Sequence, residues 1–492
     1  MLVLLLLILP VLFVPILLLF SEKQSKNIAL VAALTEMCVG FYAFYQYQIN
    51  PTCACFNWNT VWVQNLNANF HLQLNGINSV LILLTTLIVP FIIQSTFERD
   101  IKNIKAYLSL MLMMQTALVG VFLAQDALLF YIFWELALIP IYLICLVFGG
   151  ENRQKITFKF FIYTLFGSLF MLLAIIFVWL HTENRSFDIQ AFYKAGALLT
   201  AKEQLFVFIA FYLAFAIKIP IFPLHTWQPD TYVNAPTQGT MLLSGIMLKM
   251  GTYALIIWLI PVVPLGWQQA SKYVIILSVI SVVYGSLMAL TQHNFKRMLA
   301  YSSIGHVGLI AAGIFTMNLQ GVQGAMYQML SHGINVVALF FVCDIITNRM
   351  KTDEMHKLGG VRNVSRVFAV LFLIILLGSV ALPLTNGFVG EFLLLHGLFQ
   401  YNTVVVVFAG LTVIFGALYM LRAYQHIMHG DTNALTETFG VITVNEKILL
   451  ACFAGLIIFF GLFPNLILDG SENQIKQIID HVHEVTAMVV KK

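Results

Sequence analysis

Charge is nearly missing from this sequence. Asp, Glu, Lys and Arg make up 10% of its 492 residues, whereas a soluble globular protein carries about 25%. So little charge cannot clothe a water-facing surface of this size, and a soluble fold is excluded. Disorder is excluded too, because 60% of the residues are hydrophobic and the mean hydropathy is +0.89. The net charge is only +4 and its basic residues are scattered, which leaves no footprint for a nucleic acid. Cysteine is scarce as well, with six in all. Cys38, Cys145, Cys343 and Cys452 lie in apolar runs and read as small core residues. Cys53 and Cys55 sit in a polar loop, but a lone C-x-C lacks the second pair of a zinc or cluster site. The N-terminus has no basic stretch and no small-residue cleavage site, so residues 1–20 are expected to form a first span and not a removed signal.

Long apolar runs fill the rest. A hydrocarbon core of about 30 Å needs about 20 apolar residues in a helix. On that rule the expected spans are 1–20, 28–48, 76–97, 105–124, 126–148, 156–181, 203–233, 237–260, 271–291, 300–317, 324–347, 364–400, 402–428 and 445–466. The fold class is therefore an all-α polytopic membrane protein of fourteen spans. Two spans are too long for one straight helix, and each carries proline near its middle: Pro220 and Pro223 in the seventh, Pro383 in the twelfth, followed by Asn386 and Gly387. Proline removes a backbone donor and clashes with the preceding turn, so each is expected to be a broken helix. Non-helical backbone at membrane depth survives only when buried in protein or lining a wet cavity.

With fourteen spans, alternate loops fall on opposite sides. Seventeen of the 26 Lys and Arg residues then share one side, from Lys23 and Lys26 through Arg99, Arg153, Lys296 and Arg349 to Lys447. Arg185, Lys194, Lys202, Lys272, Lys476, Lys491 and Lys492 lie opposite. The positive-inside rule places both termini outside the cytoplasm. The polar loop 49–75, free of Lys and Arg, suits translocation. Five spans around the first break are followed by five around the second, which is the arrangement of an inverted repeat with a midplane site. Residue-level similarity is faint, little more than Ile219-Pro220 against Leu382-Pro383. The expected division is one membrane domain: 1–104 with three spans, 105–260 as the first repeat, 271–428 as the second, 445–466 as the last span and 467–492 as a C-terminal tail.

Ionisable residues in mid-span are costly and are functional candidates by default. Glu135 lies in FWELALIPIYLI, Lys218 just before the first break, Lys249 in GIMLKMGTYAL, His306 in SSIGHVGL, His332 in MLSHGINVVAL and Glu391 after the second break. Each has a plainer reading. An intramembrane His is often a helix-packing hydrogen bonder, and a buried Lys or Glu can be a static ion pair. Asp126 and Asp344 lie near span ends, where capping or hydration explains them, and with His225 beside the first break they are accessory candidates. Glu36 and His396 carry no decisive pattern. The combination argues for function: six such residues fall on six spans, two of them broken. Desolvation disfavours a charged lysine and a nearby carboxylate favours it, so Lys218 can gain or lose a proton according to its distance from Glu135. Histidine titrates near neutrality and can relay protons between such stations. No nucleophile with its base, phosphate loop or metal cage accompanies them, and the histidine pair has no haem signature.

The stretches LLFYIFWELALIPIYLI, FAIKIPIFPLHTWQPDTYVNAPTQGTMLLSGIMLKMGTYAL, RMLAYSSIGHVGLI and SHGINVVALFF resemble the antiporter-like subunits of respiratory complex I, over residues 70 to 465. The sequence stops soon after the fourteenth span, without the long lateral helix of subunit L. Glu391 stands where subunits L and N, and the multi-subunit sodium/proton antiporters, typically carry lysine. Both features point to the member that lies between L and N. One departure is Asn75, where many relatives have Asp. The resemblance implies redox-driven proton translocation, with Glu135 and Lys218 as the coupling ion pair, Lys249 as central relay, His306 and His332 extending the path and Glu391 as terminal station. Pro220 and Pro383 would sit in the helix breaks. It further implies that flavin, iron–sulfur clusters and quinone belong to other subunits and that this chain binds none of them. Its partners would be the other membrane subunits, with L and N flanking it, and lipid, in a bacterial cytoplasmic membrane. Two other readings stand beside this one: a cation/proton antiporter subunit unconnected to NADH, and a passive scaffold whose buried charges only fix packing.

Overall fold

A computed structural model describes residues 1–490; Lys491 and Lys492, counted above with the sparser side, lie outside the described residues. The chain begins with α1 (Leu2–Leu19) and α2 (Glu22–Ile49), followed by a hairpin of β1 (Asn57–Val63) and β2 (Ala68–Gln73). Then come α3 (Asn78–Gln94), α4 (Ile104–Leu123), α5 (Ala127–Phe148), α6 (Arg153–His181), the short α7 (Ile189–Leu198), α8 (Ala201–Lys218), α9 (Gln228–Asn234), α10 (Thr237–Leu242) and α11 (Leu248–Ala254). The second half holds α12 (Pro264–Thr291), α13 (Phe295–Phe315), α14 (Leu319–Met350), the single turn α15 (Val361–Val364), α16 (Arg366–Ser379), α17 (Asn386–Tyr401), α18 (Thr403–Met428), α19 (Val444–Leu462) and α20 (Asn465–Val490).

Among the described residues, eleven helices are long and apolar enough to cross a membrane, counting Thr237–Leu259 as one. Helix is the form that satisfies every backbone group where there is no water, which is why these runs fold as they do. Their ends return to polar side chains. Asp126 caps α5, Asn294 caps α13, Asn318 caps α14, and Thr200 with Glu203 forms a reciprocal capping box on α8. Asn75, the departure noted above, accepts from the backbone N–H groups of Ile77 and Asn78 at 3.1 and 2.9 Å and opens α3. Many large apolar side chains point outward, among them Phe166, Leu173, Val407 and Phe408. A water-facing surface does not tolerate them; lipid or a neighbouring subunit does.

Both expected breaks are present, and they are closed alike. The N–H of Ile219 reaches Phe215 O at 2.8 Å, Ile221 reaches Ala216 O at 3.0 Å and Leu224 reaches Ile221 O. The same three bonds recur at Val380 to Leu376 O, Leu382 to Leu377 O and Thr385 to Leu382 O. This register sets Ile221 against Leu382 and Lys218 against Ser379, so pairing the prolines, as the sequence invites, is out of step by two residues.

Two segments depart from the sequence reading. The 237–260 span is helical throughout but widens into two π-helical segments, Leu243–Met247 and Leu255–Leu259, on either side of α11. The expected tail is the 26-residue α20. Ile467, Ser471, Ile475, Ile478 and Val482 recur at helical spacing on its buried face, while Glu472 and Lys476 face outward. The polar loop 49–75 contains the antiparallel hairpin, paired from Asn57 with Gln73 to Val63 with Ala68, and Cys53 and Cys55 are joined as a disulfide.

Candidate functional site

The core of the molecule is a stack of almost wholly buried helices: α10–α11, α13 and α14. Polar residues inside them can meet only each other, and they do. Lys249 Nζ donates to the carbonyl of Ser244 at 2.6 Å and lies 2.8 Å from Nδ1 of His332. His332 Nε2 is 3.2 Å from Oγ of Ser303, one helix away on α13. The His332 ring lies 5.8 Å, centroid to centroid, from that of His306. His306 Nδ1 stands 3.0 Å from Oε1 of Glu391 on α17, in ion-pair range but not aligned as a hydrogen bond. Four of the six expected residues thus form one line through α11, α14, α13 and α17. All four are nearly inaccessible to solvent.

A cavity of ≈ 20 Å³ sits beside the two histidines, lined in part by Ser302, Ser303, Gln328, Asn335 and Ser379. That is the space of about one water molecule, among polar groups sufficient to hold it. α14 also grips the second break on both sides. Asn335 donates to Gly378 O at 3.0 Å, and Ser331 donates to Asn386 O at 3.0 Å. The first bond satisfies a carbonyl freed where α16 ends, and the second ties α14 to the first turn of α17.

The other two expected residues are placed differently. Lys218 ends α8 and is buried, but no contact of 4.0 Å or less joins it to Glu135. It lies instead over the ring of Trp134, 5.3 Å from the centroid, the residue just before Glu135. Glu135 is half-buried, and its Oε1 has no hydrogen-bond partner. The expected coupling ion pair is therefore open, and the indole beside Glu135 is what Lys218 meets. Pro220 and Pro223 lie in the first break and Pro383 in the second.

Among the accessory candidates, Asp126 accepts from the N–H groups of Leu128, Leu129 and Asn69 and is a helix cap that also anchors β2. His225 is buried between the rings of Phe222 and Tyr284, away from the line of four. Asp344 is neither a cap nor hydrated: it is buried against Arg99, Nη2 to Oδ2 at 2.8 Å. Glu36 is buried in α2 with both oxygens unpartnered, and His396 is exposed. Sequence reasoning missed Trp134, Ser303, Gln238 and Arg99. Only Trp134 carried a local signal, its place beside a mid-span acid. Among the described residues no group of three or more His, Cys, Asp or Glu is arranged to hold a metal ion.

The fold and this buried polar line define an antiporter-like membrane subunit. Residues 124–416 match the family described as NADH:quinone oxidoreductase/Mrp antiporter, TM. NADH-quinone oxidoreductase subunit M of Rickettsia conorii is 39% identical over 470 residues, covering 94% of this chain and 95% of that one. NADH-ubiquinone oxidoreductase chain 4 of Arabidopsis thaliana is 33% identical over 481 residues, 96% of each chain. Among solved structures, a chain of respiratory complex I from Thermus thermophilus superposes with a TM-score of 0.90 at 28% identity, over 98% of this chain and 100% of that one. A chain of the Mrp complex from Dietzia sp. DQ12-45-1b shares the fold, with a TM-score of 0.82 at 18% identity over 99% and 98% of the two chains. The chain belongs to the NADH:quinone oxidoreductase/Mrp antiporter transmembrane family, in its subunit M branch.

Proposed function

We propose that this chain is the proton-translocating subunit M of an NADH:quinone oxidoreductase and that its protons move along Lys249, His332, His306 and Glu391. One observation carries the reading: these four side chains, drawn from four helices, stand one after another in the buried core, with a water-sized cavity beside the two histidines. Each is a costly group at membrane depth, and lining them up gives every one a neighbour to exchange a proton with. Glu135 and Lys218 form the switch. The ammonium lies over the ring of Trp134 while the pair is open and would be held by the carboxylate when it closes.

Electron transfer through flavin and iron–sulfur clusters to quinone takes place in other subunits, so the role of this chain is not redox. It sits in a bacterial cytoplasmic membrane with fourteen crossings, inverted repeats at 105–260 and 271–428, and both termini on the periplasmic side, in keeping with the lysine and arginine count. Its outward apolar faces suit related antiporter-like neighbours, subunits L and N, and lipid. The test is Glu135→Ala and Lys218→Ala in the assembled enzyme. NADH oxidation by an artificial acceptor is expected to persist while quinone-linked turnover and proton pumping fall; normal pumping in both variants overturns the reading. A cation/proton antiporter subunit is the second reading, favoured by the shared Mrp fold. Purified assemblies lacking flavin and iron–sulfur absorbance would decide for it.

A further inference from the structure

Of the side-chain contacts that join the helix of Lys249 to the helix of His332, two frame the stretch from Gln238 to Lys249. The first is the Lys249–His332 contact itself, 2.8 Å. At the second, Gln238 Nε2 donates to Oδ2 of Asp344 at 3.3 Å. Gln238 and Lys249 share the segment Thr237–Leu259, and His332 and Asp344 share α14. At the rise of an α-helix the two levels lie about 17 Å apart. Between them the backbones nearly touch. A Cβ on Gly245 would stand 2.6 Å from Val337, and one on Gly333 would stand 3.0 Å from Gly245 O.

Asp344 does not rest on Gln238 alone. Arg99, from the connection between α3 and α4, reaches the same Oδ2 through Nε and Nη2, each at 2.8 Å. Lys26 on α2 donates to the carbonyls of Thr96, Phe97 and Arg99, each at 3.2 Å, and so pins that connection. The side chains of Arg99 and Asp344 are only 10% and 11% exposed, so salt screens the pair little.

The stretch between Gln238 and Lys249 includes the π-helical segment Leu243–Met247. A π-helical turn holds one residue more than an α-helical one, and its loss would rotate all that follows by about 100°. The azimuth of Lys249 therefore depends on how the two ends of its helix are pinned. We propose that the Arg99–Asp344–Gln238 cluster is a clamp that positions Lys249 against His332, with Asp344 and Gln238 as its positioning residues. The clamp rests on the proton-path reading above.

The experiment measures quinone-linked turnover and proton pumping in membranes, normalised to NADH oxidation by ferricyanide, which reports assembled enzyme. Gln238→Leu is expected to lower both about tenfold, as misplacement of a reacting group by a fraction of an ångström does. Asp344→Ala is expected to do at least the same, and Asp344→Glu, which keeps the charge within reach of both donors, to recover most of the loss. In a His332→Ala background Gln238→Leu is expected to cost nothing further, because a positioning effect vanishes with the contact it positions. Undiminished pumping in Gln238→Leu overturns the clamp, as does an equal further loss in the His332→Ala background. If Asp344→Ala fails to assemble, Gln238→Leu decides, since it leaves the Arg99–Asp344 pair whole. Lys249→Ala separates the two claims: full pumping there removes the proton path itself, whereas its loss beside a normal Gln238→Leu removes only the clamp.

Discussion

Nζ of Lys249 lies 2.8 Å from Nδ1 of His332, in a layer of the protein where both helices are completely enclosed. The ring of His332 turns Nδ1 to this amine and Nε2 to the hydroxyl of Ser303, 3.2 Å away. A proton leaving Lys249 toward His332 thus has a next station already oriented.

His332→Ala should therefore strand Lys249 with only the Ser244 carbonyl. Loss of a positioned proton acceptor costs about a hundredfold. Proton uptake by inverted vesicles during NADH oxidation is expected to fall on that scale, with ferricyanide reduction unchanged.

Trp134 makes a second, sharper case. Its ring holds the Lys218 ammonium at 5.3 Å, a contact worth about 2 kcal/mol when water is excluded. Trp134→Leu is expected to slow quinone-linked turnover several-fold, and Trp134→Phe to slow it less, because phenylalanine keeps a weaker version of the same face. Equal effects of the two replacements would show that the ring's electrons are irrelevant.

Acid should loosen one end of the fold. Asp188, cap of α7, works against burial, but a hydrogen bond with His71 at 2.9 Å and the N–H of Gln190 outweigh that cost and hold its carboxyl below the usual carboxylate range. A lowered folded value means the contact stabilises fully above the unfolded pKa, about 3.9, and is lost as pH falls through the folded value. Amide exchange in the hairpin 57–73 is expected to accelerate as pH drops below about 4, and Asp188→Ala to show fast exchange at every pH.

Packing gives a control that chemistry cannot. Gly245→Val places new carbon 2.6 Å from Val337, and overpacking of this kind costs about 1–3 kcal/mol. Its thermal midpoint is expected to drop, whereas Gly410→Ala, with nothing within 4 Å of the added atom, should leave the midpoint in place.

The spans and the line of four were legible because an ionisable residue in a long apolar run has no bland surroundings to hide in. Helical period, proline and the absence of water sufficed for that. The partners were not legible, since they come from remote segments. Arg99 looks like one more orienting charge in a loop, and Asp344 like a wetted span end, until the α3–α4 connection folds over both. Gln238 and Ser303 are unremarkable polar residues until Asp344 or His332 faces them. α20 escaped for the opposite reason. Its spacing is plainly helical, but its polar face dilutes its hydropathy below that of a span, and amphipathic period was the signal to read.

The cavity beside His306 and His332 measures ≈ 20 Å³. On the proposed path it would act as a turnstile with a single place. A proton needs no more than that, because it crosses by exchanging bonds with one oriented water while no heavy atom travels. A sodium ion wearing its hydration shell is several times larger than such a space, and stripping the shell demands a full set of replacement oxygens. A path through this cavity would therefore sort cations by how they move and not by their charge.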